Sequence, residues 1–292
     1  MCRHVLIENG GISFYVEARA SDRPFLMSNQ LQGDTHMKNI KGFLIDLDGV
    51  FYIEDQVIPG GAETVTWLRD QNYPIRFLTN TTMYSRASLV AKLSRFGIQA
   101  EPGEMFSTAV VAAKWLAAKG VSRVQLLLPD DPQMDFDGFE ITEQQPEVVV
   151  VGDMGERFNY DILNSAFLAV KAGAQLIALQ KGRYWQKESG LAMDAGAFVA
   201  ALEYATETEA ELIGKPNRAY FDMALMDIEL DPSQVVMIGD SLDADIGGAR
   251  AVGMPTILVR TGQYVYDAHK TFPVQPDWIV DSIADLPGLL DG

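Results

Sequence analysis

Lys41-Gly42-Phe43-Leu44-Ile45-Asp46-Leu47-Asp48-Gly49-Val50-Phe51-Tyr52 is the stretch from which the fold is read. A short apolar run of strand character ends on two aspartates one residue apart, and a glycine comes directly after them. Side chains alternate across a strand, so Asp46 and Asp48 are expected on one face. Both then lie at the carboxyl end of the strand, where open α/β sheets hold their ligands. The pair alone carries little weight, because this acidic chain contains two more Asp-x-Asp pairs, Asp135/Asp137 and Asp243/Asp245. The apolar strand leading into the first pair, and the residues downstream of it, set that pair apart.

From Met37 onward strand-like and helix-like segments alternate, the pattern of a parallel sheet with helices on both faces. Helices are expected over residues 60–71, 85–96, 107–119, 160–171, 195–205 and 217–228. Core strands are expected at 41–46, 74–79, 235–240, 256–259 and 277–280. A second α/β unit has strands at 124–128, 147–151 and 175–179. The turn-rich stretch around Asp135-Phe136-Asp137-Gly138 reads as a solvated loop. Residues 1–36 are mixed in character and read as an N-terminal extension ahead of a compact domain that begins near Met37.

Composition narrows the function. The chain has 292 residues, is 48% hydrophobic and carries a net charge of −17. It is long enough for one large domain or two modest ones, and a nucleic-acid or anionic-membrane partner is not expected. One cysteine, Cys2, excludes an internal disulfide and suits a reducing, cytoplasmic setting. No apolar run is long enough for a membrane span, and the first residues lack the layout of a secretory signal. The three histidines, His4, His36 and His269, are scattered and predict no histidine metal cluster.

Four positions are expected at neighbouring strand ends: Asp46/Asp48, Thr79/Asn80, Lys215 within Gly214-Lys215-Pro216, and Asp240 after Gly239. Alone, each has a plain reading as a turn, a solvated loop lysine or a helix cap. Together they form a phosphoryl-transfer set. A carboxylate at Asp46 can attack phosphorus, and one at Asp48 can protonate the leaving oxygen and later activate water. Mg²⁺ prefers oxygen ligands and keeps several waters, so Asp46, Asp240 and a backbone carbonyl suffice to hold it. Lys215 and the Thr79 hydroxyl would neutralise and cradle the phosphoryl oxygens. Asp245 is placed to hold a metal-bound water or orient Lys215, and Asp243 is expected to face solvent.

This set resembles the four motifs of the haloacid dehalogenase superfamily: Asp46-Leu47-Asp48-Gly49, Thr79-Asn80, Lys215, and Gly239-Asp240 through Asp245. The resemblance covers residues 38 to about 290. It implies a Rossmann-like parallel-sheet core (37–119 and 210–292) with an inserted α/β cap (120–209). By resemblance, Asp46 is the nucleophile, Asp48 is the general acid/base, and Mg²⁺ is held by Asp46, the Asp48 carbonyl and Asp240. Thr79, Asn80 and Lys215 then bind phosphate or substrate. The true dehalogenases of the superfamily lack the second aspartate, so Asp48 points to phosphate chemistry.

Thr79 follows Asp48 by only 31 residues, whereas Lys215 follows Thr79 by 136. A cap in the second interval is the mark of subclass IIA. Thr81 makes the chain resemble the branch of phospholysine phosphohistidine inorganic pyrophosphate phosphatase and haloacid dehalogenase-like hydrolase domain-containing protein 2. Some members of that branch have serine where this chain has Asp48.

The implied activity is Mg²⁺-dependent hydrolysis of a small phosphorylated substrate, with pyrophosphate and N-phosphorylated compounds as further candidates. A phosphotransferase and a non-catalytic phospholigand-binding protein are the alternatives. The basic, aromatic segment holding Arg183, Tyr184, Trp185 and Lys187 is the candidate substrate loop of the cap. Homodimerisation through the cap is expected from the relatives alone.

Overall fold

The computed structural model describes residues 37, 39–187, 190–264 and 268–291. The proposed extension over 1–36 lies outside the described residues. The strands, in chain order, are β1 (Gly42–Asp46), β2 (Tyr52–Ile53), β3 (Gln56–Val57), β4 (Ile75–Thr79) and β5 (Met105–Ser107). Then come β6 (Arg123–Leu127), β7 (Glu140–Ile141), β8 (Val148–Val151), β9 (Gln175–Ala178), β10 (Tyr184–Lys187) and β11 (Gly190–Met193). The last four are β12 (Glu211–Leu212), β13 (Val235–Gly239), β14 (Thr256–Val259) and β15 (Trp278–Val280).

Two parallel sheets make this an α/β fold. The first has the order β15-β14-β13-β1-β4-β5 and the second β12-β9-β8-β6-β7. From β1 the chain moves outward through β4 to β5, and it later returns beside β1 at β13 before moving outward the other way. The boundary between β1 and β13 is therefore the switch point at which open sheets form their crevice. Register puts Asp46 level with Leu78 and Ile45 level with Ile238, so Thr79 and Asp240 lie at the ends of the strands that flank Asp46.

All five residues of β1 are buried, as expected of a central strand covered on both faces. Leu44 packs into one apolar cluster with Tyr220, Phe221 and Ala112, while Phe43 and Ile45 pack into another with Val65, Leu68 and Leu89. The first cluster also takes in Val148, Val150 and Ile177 of the second sheet, so the two sheets share one apolar core. The opposite face of the second sheet, Val149 and Val151, packs on the helices Tyr160–Lys171 and Ala195–Thr206.

The expected helices form, and side chains cap several of them at the N-terminus. Ser85 accepts from the Ser88 N–H, Ser107 from the Val110 N–H and Asn217 from the Ala219 N–H. Two expectations change. The two-residue strand β12 pairs with β9, so the chain reaches Lys215 from the second sheet rather than from a strand of the first. Asp135 is not a solvated loop residue: its side chain is 6% exposed and accepts the Arg86 N–H at 2.8 Å. Asp137, two residues on, is exposed as expected.

Candidate active site

Asp46 ends β1 and is buried at the switch point. Lys215 Nζ donates to Asp46 Oδ1 and to Asp245 Oδ1, both at 2.6 Å. Asp46, Asp240 and Asp245 each offer a carboxylate oxygen within 4.8 Å of the others, and all three are buried. Three carboxylates against one ammonium leave an excess of buried negative charge. Burial pushes the Asp46 carboxyl well up and Asp245 adds to it, against the opposing pull of Lys215. Burial and the Asp245 charge push Asp240 up to about 7. Burial alone would lower the Lys215 ammonium, but Asp245 and Asp46 outweigh it and hold the amine protonated. The donor set is all hard oxygen with surplus charge, which fits a divalent cation such as Mg²⁺.

The loops around Asp240 are built for close approach. Gly49 has φ +80°, and a Cβ there would fall 1.9 Å from Asp240 Oδ2. A Cβ on Gly262 would fall 2.0 Å from the same oxygen. The Gln263 N–H donates to Asp240 Oδ2 at 2.6 Å, and the Thr261 hydroxyl donates to the Gly49 carbonyl. Asp245 Oδ2 accepts the Ser241 N–H at 3.1 Å, which fixes its orientation toward Lys215. Asp243, two residues earlier, is exposed as expected.

Asp48 opens toward solvent, while β2 crowds its other side. Desolvation on that side pushes its carboxyl up; the ammoniums of Lys92 and Lys215 pull the other way. The Tyr52 hydroxyl hydrogen-bonds to it, and the Thr79 hydroxyl makes a long contact of 3.5 Å to Asp48 Oδ2. Thr79 Oγ1 also accepts the Thr81 N–H at 3.0 Å. Behind Thr79, the buried Tyr220 hydroxyl lies 3.1 Å from both its N–H and its carbonyl and donates to the Phe106 carbonyl.

Asn80 faces Lys215 rather than open space. Its Nδ2 donates to the Lys215 carbonyl at 2.8 Å and its Oδ1 accepts the Lys215 N–H at 2.9 Å. This two-point grip fixes the backbone from which the Lys215 side chain extends, so Asn80 reaches the site through Lys215. The remaining sequence candidates belong to the second unit, at the β10–β11 hairpin. Arg183 and Tyr184 are exposed at the start of the β10–β11 hairpin, and the side chains of Trp185 and Lys187 lie outside the described residues.

The second sheet meets the first at the same edge. The Asp153 N–H donates to Thr82 Oγ1 at 2.7 Å. Asp131 accepts from the Ser85 N–H at 2.6 Å and from the Ser85 and Ser88 hydroxyls at 3.1 and 2.9 Å. With Asp135 on Arg86, two acids of the second unit hold the N-terminus of the helix Arg86–Arg95. Lys92 on that helix, Tyr52 and Asp153 also lie around the site, and no sequence motif marks them. Lys92 in particular sits on an ordinary amphipathic helix, where a lysine normally marks the solvent face.

Comparison with known proteins agrees with this geometry. Residues 43–142 match the family model described as haloacid dehalogenase-like hydrolase, and residues 212–286 match a second, HAD-hydrolase-like model. The human haloacid dehalogenase-like hydrolase domain-containing protein 2 is 42% identical over 225 residues, covering 77% of this chain and 86% of that protein. Human phospholysine phosphohistidine inorganic pyrophosphate phosphatase is 36% identical over 260 residues, covering 87% of this chain and 95% of that protein. The crystal structure of a 4-nitrophenylphosphatase from Thermotoga maritima superposes with a TM-score of 0.82 at 26% identity, covering 87% of this chain and 98% of that one. The chain therefore belongs to the haloacid dehalogenase-like hydrolase family.

Proposed function

We propose that the protein is a Mg²⁺-dependent phosphatase that hydrolyses a small phosphorylated substrate through an aspartyl phosphate on Asp46. The observation that carries this reading is the Asp46 carboxylate at the switch point, held by Lys215 through one oxygen and grouped with Asp240 and Asp245. Among the described residues, Asp46 Oδ2 has no hydrogen-bond partner and is the oxygen available for attack. It forms the new bond to phosphorus as the bond from phosphorus to the leaving oxygen breaks. Asp48, with its raised carboxyl, gives its proton to that oxygen. The Asp48 carboxylate then takes a proton from water as the water oxygen attacks phosphorus, and the bond to Asp46 breaks to release phosphate.

Lys215 and the Thr79 side of the site offset charge on the phosphoryl oxygens. Mg²⁺, when bound by Asp46, Asp240 and the Asp48 carbonyl, adds charge neutralisation and a template for the phosphoryl group. Asp245 supports both the cation and Lys215. In this reading the second sheet and its helices, β12 included, act as the cap that covers the site and selects the substrate. Homodimerisation through that unit belongs to the same reading, supported by Tyr160, Leu168 and Tyr204, exposed on its two packed helices. A cytoplasmic location fits the single cysteine. Among the described residues, no helix is long and apolar enough to cross a membrane.

The test is phosphate release from an aryl phosphate with and without Mg²⁺, alongside Asp46→Asn. Release by the wild type only with the metal, and loss in the variant, is the expected result. Equal release by both proteins would rule out Asp46 as nucleophile.

A further inference from the structure

One largely buried lysine side chain has no role in these hydrolytic steps. Lys92 lies on the inner face of the helix Arg86–Arg95, with its side chain 9% exposed. Its Nζ stands 4.0 Å from the centre of the Tyr52 ring and 5.5 Å from that of Tyr84. Asp55 is the one carboxylate within ion-pair reach among the described residues. It lies 4.0 Å away, beyond hydrogen-bond distance, and is itself 90% exposed. Ring faces attract a cation but accept no full hydrogen bond from it. Among the described residues, Lys92 Nζ is not one of the buried side-chain atoms left without a partner, and its N–H groups remain open to an acceptor from outside the protein.

The position of Lys92 says which acceptor. Tyr52 pairs with Asp48 across an isolated bridge, its carbonyl accepts the Gly49 N–H at 2.7 Å, and its hydroxyl bonds to Asp48. Lys92, resting on the Tyr52 ring, is thereby fixed beside the Asp48 carboxylate, on which it acts more strongly than any other cation does. Lys215 serves the other side, where Asp46 and the transferred phosphoryl group belong. A group that protonates the leaving oxygen stands next to the leaving group, so a cation beside Asp48 meets that part of the substrate.

We propose that Lys92 is a specificity-determining residue that binds an anionic leaving group, a second phosphoryl or a carboxylate, beside Asp48. The proposal rests on the assignment of Asp46 as nucleophile and Asp48 as acid/base. The bonds formed and broken stay the same: the leaving oxygen takes its proton from Asp48, and Lys92 keeps its own.

The experiment compares kcat/KM for inorganic pyrophosphate, 2-phosphoglycolate and phenyl phosphate at saturating Mg²⁺ in the wild type, Lys92→Met, Lys92→Gln and Lys92→Arg. The expected result is a fall of roughly tenfold or more in the ratio of an anionic-leaving-group substrate to phenyl phosphate for Met and Gln. The change should fall mainly in KM, and Lys92→Arg should keep most of the preference. A ratio that moves only for pyrophosphate identifies the second phosphoryl as the ligand, and one that moves only for phosphoglycolate identifies the carboxylate. Equal losses on all three substrates would overturn the proposal, since a lysine that merely props the helix or Tyr52 would act on them alike. Should Lys92→Met lose its folded circular dichroism, the Gln and Arg variants decide the question. A wild type that releases no phosphate from any of the three overturns the underlying phosphatase reading instead.

Discussion

Among the described residues, Lys215 is the one cation in direct contact with the buried carboxylates of the site, bridging Asp46 and Asp245 at 2.6 Å each. Lys215→Met keeps most of the side-chain volume but removes that charge, leaving an uncompensated acidic cluster. Loss of one such stabilising group costs about 3–4 kcal/mol in the transition state, or roughly 10²- to 10³-fold in kcat. Steady-state kinetics on an aryl phosphate check this, and a loss below tenfold would count against the role of Lys215.

Asp240 gives a pH-dependent expectation. Its folded-state carboxyl is raised from 3.8 to about 7, so the metal-free native state binds more protons than the unfolded chain between those values. Its contribution to stability is therefore fully present below about pH 4 and is lost as pH rises toward 7. Without metal, the melting temperature of the wild type should fall relative to Asp240→Asn across that window. Added Mg²⁺ should stabilise the wild type more at pH 8 than at pH 5, because the cation must displace the proton. Parallel melting curves for the two proteins at every pH would contradict this.

At the scale of elements, the helix Arg86–Arg95 is tied to the second unit at its first turn. Asp131 accepts three bonds there, and Asp135 accepts the Arg86 N–H. Carboxylates at a helix N-terminus satisfy free N–H groups and favour the dipole, each by about 1 kcal/mol. Asp131→Ala is expected to cost about 1–2 kcal/mol in urea unfolding, and Ser88→Ala should add little once Asp131 is gone. Additive effects of the two substitutions would show that the bond between them is not the source. None of this is legible in the sequence, because a Pro-Asp-Asp-Pro turn with Asp135 close behind has the composition of a solvated loop. Only the tertiary fold brings it against Ser85.

The Thr79–Tyr220 contact crosses 141 residues of sequence and is equally invisible in a linear reading. By contrast, β1, β4 and β13 are legible because each is an apolar run with a polar residue at its end. Those strand ends place Asp46, Thr79 and Asp240 directly. Lys215 is legible as a motif but not as to its sheet, since two residues of β12 carry too short a pattern to assign.

For the molecule as a whole, the shared apolar cluster decides how the two units behave. Leu44 and Leu78 of the first sheet belong to the same buried cluster as Val150 and Ile177 of the second, joined by Leu116 and Ala112 of the helix Thr108–Ala118. Leu116 is fully buried, and Leu116→Ala should cost about 2–5 kcal/mol while lowering a single unfolding transition. Two separated calorimetric transitions would show that the second unit unfolds on its own. The same shared core ties the second unit to the first beside the Asp153–Thr82 contact.

The central claim is that Asp46 carries the phosphoryl group during turnover. Borohydride added during steady-state turnover reduces an aspartyl phosphate to homoserine, and peptide mapping then locates the modified residue. The expected result is modification at Asp46 alone, dependent on both substrate and Mg²⁺ and absent in Asp46→Asn. Modification at Asp48, or full turnover with Asp46 never modified, would contradict the account.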